Sequence, residues 1–238
     1  LYAAEKQGMQ CFGLANVIGS TLTKASVCSL PLCCGYEISV PATKTFTNQV
    51  VSFLYLAYRL TGRDTSELDL IPELMEQTIA LTTPQVKALT PEVNAWEDSY
   101  SLGYGSTYSM ALEGALKLKE ITYSHCEGML STEFKHGPLS AITEGFPVLF
   151  AVDPQDVPVI VSGINEVTCR GGRAIAIGQE DASLRANASD MIVLPTATPE
   201  ISSLLSVIPL QLLSYYMAVA RGYDPDFPRN LSKTLTVD

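Results

Sequence analysis

The chain has 238 residues, 47% apolar and 17% charged, enough hydrocarbon to build a sizeable core in one large or two small domains, and too much for global disorder. Lys and Arg number 15 against 25 Asp and Glu, giving a net charge of −10 and a pI near 4.7. Such a balance, without a basic run, excludes nucleic acid and anionic membrane surfaces as expected partners.

The six cysteines (11, 28, 33, 34, 126 and 169) form no Cys-x-x-Cys pair and no metal-ligand spacing. They predict reduced thiols in a cytoplasmic protein, with neither a metal nor a cofactor. Leu1–Lys6 carries no basic or apolar signal region, so no targeting segment is expected.

In chain order, Leu1–Gln7 reads as the tail of a helix, and Met9–Asn16 and Val27–Cys34 as short strands. Thr43–Leu60 repeats Phe46, Val50, Phe53, Leu54, Ala57 and Leu60 at helical spacing, and Gly62 stops it. Asp64-Thr65-Ser66-Glu67 restarts the chain; the helical pattern from Leu68 to Ala95 is interrupted by Pro72, Pro84 and Pro91 and reads as a broken connector. Beyond it come a strand at Ser99–Gly103, a helix at Thr107–Tyr123, strands at Phe146–Val152, Arg173–Ile177 and Met191–Leu194, and helices at Val159–Cys169 and Ile201–Arg221. Apolar strands alternating with helices predict an α/β protein whose parallel sheet is covered on both faces. Ile201–Ala220 is uncharged over twenty residues, but its serines and Pro209 fit a buried core helix better than a membrane span. A strand, a Gly-Ser turn and a helix recur at Gly19-Ser20 and at Gly105-Ser106, a weak internal echo.

The helix Thr107–Tyr123 is the most informative element. At 100° per residue Ser109, Glu113, Lys117, Glu120 and Ser124 share one stripe, while most other positions are apolar or small. Two carboxylates flanking an ammonium in a cleft suit acid–base work; a structural Glu–Lys–Glu network fits the same periodicity. His136, before Gly137-Pro138, sits at a turn from which its ring could enter a site or simply face solvent. His125, Cys126, Glu127 and His136 have no recognised metal spacing. Gly103-Tyr104-Gly105-Ser106-Thr107 follows a strand and opens a helix, as a phosphate cradle does, but tight strand-to-helix packing calls for the same glycines. No G-x-S-x-G elbow and no P-loop is present. The tail Asp226–Asp238 contains Pro-Arg-Asn and a lone Lys233, an unusual ending for a solvated terminus.

Three segments carry a resemblance: Glu37-Ile38-Ser39-Val40-Pro41-Ala42-Thr43-Lys44-Thr45-Phe46-Thr47, Ala111-Leu112-Glu113-Gly114-Ala115-Leu116-Lys117-Leu118-Lys119-Glu120 and Glu133-Phe134-Lys135-His136-Gly137-Pro138-Leu139. With Ile208–Leu212 and the tail, they resemble the isomerase half of the glucosamine-6-phosphate synthase family, built from two SIS (sugar isomerase) domains. The resemblance implies residues 1–62 as the end of a first SIS domain, 63–97 as a helical connector, and 98–238 as a complete second SIS domain with a catalytic tail.

It also implies a chemistry. Fructose 6-phosphate opens, Lys233 forms a Schiff base with its ketone, glutamine-derived ammonia enters at C2, and glucosamine 6-phosphate results, for amino-sugar biosynthesis. Glu120 moves the proton between C1 and C2 with Lys117 beside it, His136 assists ring opening from a neighbouring subunit of a homodimer, and Arg229 gates the site. Val40, Ala42, Glu113, Arg229 and Ser232 are the implied substrate contacts.

The departures are equally specific. The family's Val-Ala-Ser-Thr-Lys-Ala reads Val40-Pro41-Ala42-Thr43-Lys44-Thr45 here, so a serine near the sugar has become Ala42, and its Leu-Gly-Arg-Gly reads Leu102-Gly103-Tyr104-Gly105. The GTS and SQSGET phosphate loops and the glutaminase domain are missing from this sequence, and none of the six cysteines replaces the glutaminase nucleophile. A catalytically silent sugar-phosphate-binding SIS module, or another SIS isomerase or deaminase, are therefore the alternatives.

Overall fold

The structure, a computed structural model, describes residues 1–233. The chain forms two compact units, one of Leu1–Leu68 with Ser232 and Lys233 of the tail, the other of Asp69–Leu231.

The first unit contains α1 (Tyr2–Lys6), β1 (Phe12–Ala15), α2 (Thr21–Ala25), β2 (Cys28–Pro31) and α3 (Lys44–Thr61). β1 and β2 pair in parallel, from Phe12 opposite Cys28 to Ala15 opposite Pro31, with α2 as the crossover. Ser20 caps α2, its hydroxyl oxygen accepting from the Thr23 amide. α3 ends where Gly62 takes a left-handed conformation (φ 71°), as its position after the periodic stretch predicts.

The second unit begins with α4 (Ile71–Val93), a single helix in which Pro84 and Pro91 are internal. This corrects the expectation that the prolines interrupt the helical pattern. Each proline deletes one backbone bond, but the helix lays Ile71, Thr78, Thr82, Val86 and Val93 onto the rest of the unit, chiefly α9 and β7, and that burial holds it straight through. The Gln85 side-chain amide meets both backbone groups of Val193, accepting its N–H at 2.9 Å and donating to its carbonyl at 3.3 Å, which protects an otherwise open sheet edge.

Then follow β3 (Asp98–Gly103), α5 (Thr107–Thr122), β4 (His125–Leu130), β5 (Pro147–Ala151), α6 (Val157–Thr168), β6 (Arg173–Gln179), α7 (Ala182–Asn187), β7 (Asp190–Leu194), α8 (Pro199–Leu205) and α9 (Val207–Ala220). Five parallel strands make one sheet in the order β4-β3-β5-β6-β7. β4 and α7 are elements that the sequence pattern leaves unannounced. The helix expected over Ile201–Arg221 is two, with Ser206 between them.

β5 is buried along its whole length. Val148 and Phe150 face Ile160, Ile164 and Val167 of α6, and helices α5 and α9 pack together elsewhere in the unit. That contact depends on Gly114, where an added Cβ would come within 2.5 Å of Leu210 Cδ1. Pro199–Ala220 is long and apolar enough to cross a membrane, yet 67% of its most apolar stretch is buried inside this unit, as a core helix is.

Candidate active site

α5 carries the charged stripe. Lys117 is 3% exposed, and its ammonium donates to Glu120 Oε2 at 2.7 Å and lies 3.1 Å from Glu113 Oε1. The spacing i, i+4, i+7 stacks the three side chains on one face. Burial pushes the Glu113 carboxyl above the usual carboxylate range; Lys117 pulls it back, and Glu120 adds to the rise. Two carboxylates and one ammonium leave one negative charge, so one carboxylate can take up a proton without stranding the lysine. The helix is not buried all round, although most of its positions off the stripe are apolar or small: Leu112 and Leu116 beside the stripe are 39% and 42% exposed.

The stripe ends at a cavity of about 380 Å³ lined by Lys119, Glu120, Tyr123, Arg229, Asn230 and Leu231. Arg229 reaches it from the tail, its backbone N–H donating to the Tyr123 hydroxyl at 3.0 Å and its guanidinium lying 4.0 Å from the centre of that ring. Arg221 stands behind, donating to the carbonyls of Asn94, Trp96 and Thr122 and to Ser124 Oγ, at 2.6–3.1 Å. All its N–H groups are spent on backbone and hydroxyl acceptors, so it fastens the end of α9 to the start of β3 and the end of α5.

His136 is exposed at the end of a 3₁₀ turn (Ser131–His136) and makes no hydrogen bond to the stripe among the described residues. Val40 and Ala42 are half-buried in the loop before α3. In the same unit, Lys233 lies 3.4 Å from Glu37 Oε2, with Ser232 adjoining it. Thr234–Asp238 of the tail motif lie outside the described residues.

Glu37 is a residue that sequence reasoning did not single out. Its Oε1 accepts the amides of Thr43, Lys44 and Thr45, and its Oε2 the Thr45 hydroxyl at 2.6 Å, so it caps α3 from seven residues upstream. Burial raises its carboxyl, but these hydrogen bonds and Lys233 outweigh that and hold it below the usual range. Its only sequence signal was an acid shortly ahead of a helix start.

The Gly103–Thr107 turn resolves toward packing. A Cβ on Gly103 would fall 2.5 Å from the Thr107 carbonyl oxygen, and the Thr107 hydroxyl is tied to the backbone of Tyr104 and Ala151. Buried Asp153 sits here as well, accepting from Ser203 Oγ at 2.8 Å, with Ser106 Oγ 2.5 Å from Ser203 Oγ. A carboxylate already holding those hydroxyls repels a phosphate. His125, Cys126 and Glu127 alternate along β4; Cys126 points into the core, where burial raises its thiol to about 11, and its two neighbours point out. No group of three or more His, Cys, Asp or Glu side chains converges for a metal among the described residues.

A parallel α/β sheet with the acid–lysine–acid helix on one face defines the class: residues 95–221 match the SIS domain, and the chain belongs to the SIS-domain family. Its relatives narrow the class further. The chain is 40% identical over 244 residues to the glutamine–fructose-6-phosphate aminotransferase (isomerizing) of Pyrobaculum aerophilum, covering 99% of this chain and 40% of that protein. The C-terminal domain of glucosamine-fructose-6-phosphate aminotransferase from Francisella tularensis superposes with a TM-score of 0.85 at 30% identity, over 94% of this chain and 67% of that one. A glucosamine-6-phosphate deaminase of Thermotoga maritima shares the fold (TM-score 0.84, 22% identity, 98% and 69% covered). The chain spans about two fifths of the length of the curated relatives it matches.

Proposed function

We propose that this chain is the isomerase part of a glutamine–fructose-6-phosphate aminotransferase, acting on fructose 6-phosphate and glutamine-derived ammonia to give glucosamine 6-phosphate. The observation that carries the reading is Lys117, buried between Glu113 and Glu120 at the edge of a cavity that the tail's Arg229 also lines. A relative of that name, 40% identical over 99% of this chain, supports it.

In this reading the Lys233 amine adds to the C2 ketone of the open sugar and water leaves, forming the Schiff base. Ammonia adds to the C2 carbon of that Schiff base and expels the Lys233 amine, leaving a C2 imine; the Glu120 carboxylate then carries the proton from C1 to C2, and Lys117 orients that carboxylate and steadies its charge. Glu113, Val40, Ala42, Ser232 and Arg229 contact substrate. His136, exposed on its turn, is available to the site of a second copy in a homodimer. The six free thiols suit the cytosol. A separate glutaminase domain supplies ammonia.

The test is borohydride trapping in the full-length protein, with whatever precedes Leu1. With fructose 6-phosphate, label is expected on Lys233, and Lys233→Ala is expected to abolish both the label and glucosamine 6-phosphate formation. Label on another lysine would overturn the assignment; sugar-phosphate binding with no conversion would favour a silent regulatory module.

A further inference from the structure

Tyr123 is the residue on which Arg229 of the tail rests. It follows the last residue of α5 in a left-handed conformation (φ 62°), unusual for a non-glycine and above all for an aromatic side chain. That conformation ends the helix three residues beyond Glu120. The Tyr123 hydroxyl accepts the Arg229 amide at 3.0 Å, the Arg229 guanidinium lies 4.0 Å from the ring centre, and the Tyr223 ring packs at 4.8 Å. Tyr123 and Arg229 also line both the 380 Å³ cavity beside Glu120 and a second one of about 580 Å³ that holds Trp96, Arg221 and Tyr223, so the pair forms the partition between them.

We propose that Tyr123 is a positioning residue: it moors the tail at Arg229 to the end of the helix that bears Glu120, and so limits where Lys233 can go. This rests on the functional reading given above. Lys233 follows Arg229 by four residues, and four extended residues reach at most ~14 Å. A moored tail confines the Lys233 Cα to that radius of Arg229, with only the side chain's own length beyond it, whereas an unmoored one would swing from Gly222, itself left-handed, eleven residues back. Confinement raises the local concentration of the amine at the sugar carbonyl. The hydroxyl supplies a directional hydrogen bond and the ring a cation–π face, so the two contributions are separable.

The experiment compares Tyr123→Phe, which deletes only the hydroxyl, with Tyr123→Asn, which deletes the ring while keeping a residue that tolerates the left-handed turn. In the full-length protein, Tyr123→Phe should lower kcat roughly 3–10-fold with KM for fructose 6-phosphate within about twofold, and Tyr123→Asn should lower it about 100-fold. Borohydride labelling of Lys233 should fall in step, the urea midpoint should stay put in the Phe variant, and the Arg229 amide should exchange hydrogen several-fold faster in both. Wild-type kcat and wild-type Arg229 protection in both variants would overturn the mooring. Absence of turnover in the unmutated protein would instead sink the functional reading, and the Arg229 exchange rates would still decide whether Tyr123 holds the tail.

Discussion

The ammonium of Lys117 stands 2.7 Å from Glu120 Oε2, and the lysine side chain is 4% exposed. A cation this buried is tolerable only because Glu113 and Glu120 flank it, and the converse holds: without it two carboxylates share one helix face. Lys117→Met is therefore expected to cost about 3 kcal/mol at pH 7, the scale of a buried pair broken on one side. The stranded carboxylates would have raised pKa values in the folded variant, so folding would be favoured below those values and opposed as pH rises through them. Urea unfolding at pH 5 and pH 7 checks this; the cost should shrink markedly at pH 5, and an equal cost at both would contradict it.

Glu37 predicts the opposite pH dependence. Its carboxyl sits below the usual range, so its contribution to stability is present above the ordinary glutamate value and lost as pH falls through its lowered one. Glu37→Gln should remove part of the acid-side fall in stability and cost about 1 kcal/mol near neutrality, because the amide keeps an acceptor for the α3 amides but not the charge. Circular dichroism across an acid titration reads both effects.

How legible all this was depended on how local the signal is. α5 declared its stripe because Glu113, Lys117 and Glu120 repeat at helical spacing within eight residues. Glu37 caps α3 from outside the helix across a non-periodic loop, so no helical spacing marks it, and the Asp153–Ser106–Ser203 cluster joins three distant segments that no window of sequence contains. β4 hid because His125-Cys126-Glu127-Gly128 has neither β-branched residues nor an apolar run; its pairing with β3 along six positions makes it a strand. α4 was misjudged for the converse reason. Its prolines argue locally against a helix, and packing on α9 overrides them.

Arg221 makes a stability prediction independent of any chemistry. Its planar fork meets the carbonyls of Asn94, Trp96 and Thr122 together with the Ser124 hydroxyl. A lysine keeps the charge but has three donors on one atom and cannot span those acceptors. Arg221→Lys should cost about 2–4 kcal/mol, from several partly buried acceptors left unpaired, with no change in the α5 stripe. A urea midpoint unchanged from the unmutated chain would show that the cage is ornamental.

The role of Glu120 as the carboxylate that moves the sugar proton is tested most directly by solvent-deuterium incorporation at C1 of the sugar phosphate in the full-length protein. Glu120→Gln is nearly isosteric and can still accept a hydrogen bond from Lys117, so substrate affinity should stay within a few-fold. Removing the base should slow exchange about 10²–10⁴-fold, the range that positioned acid–base groups contribute. Exchange in Glu120→Gln at the unmutated rate would contradict the assignment of Glu120 as the base.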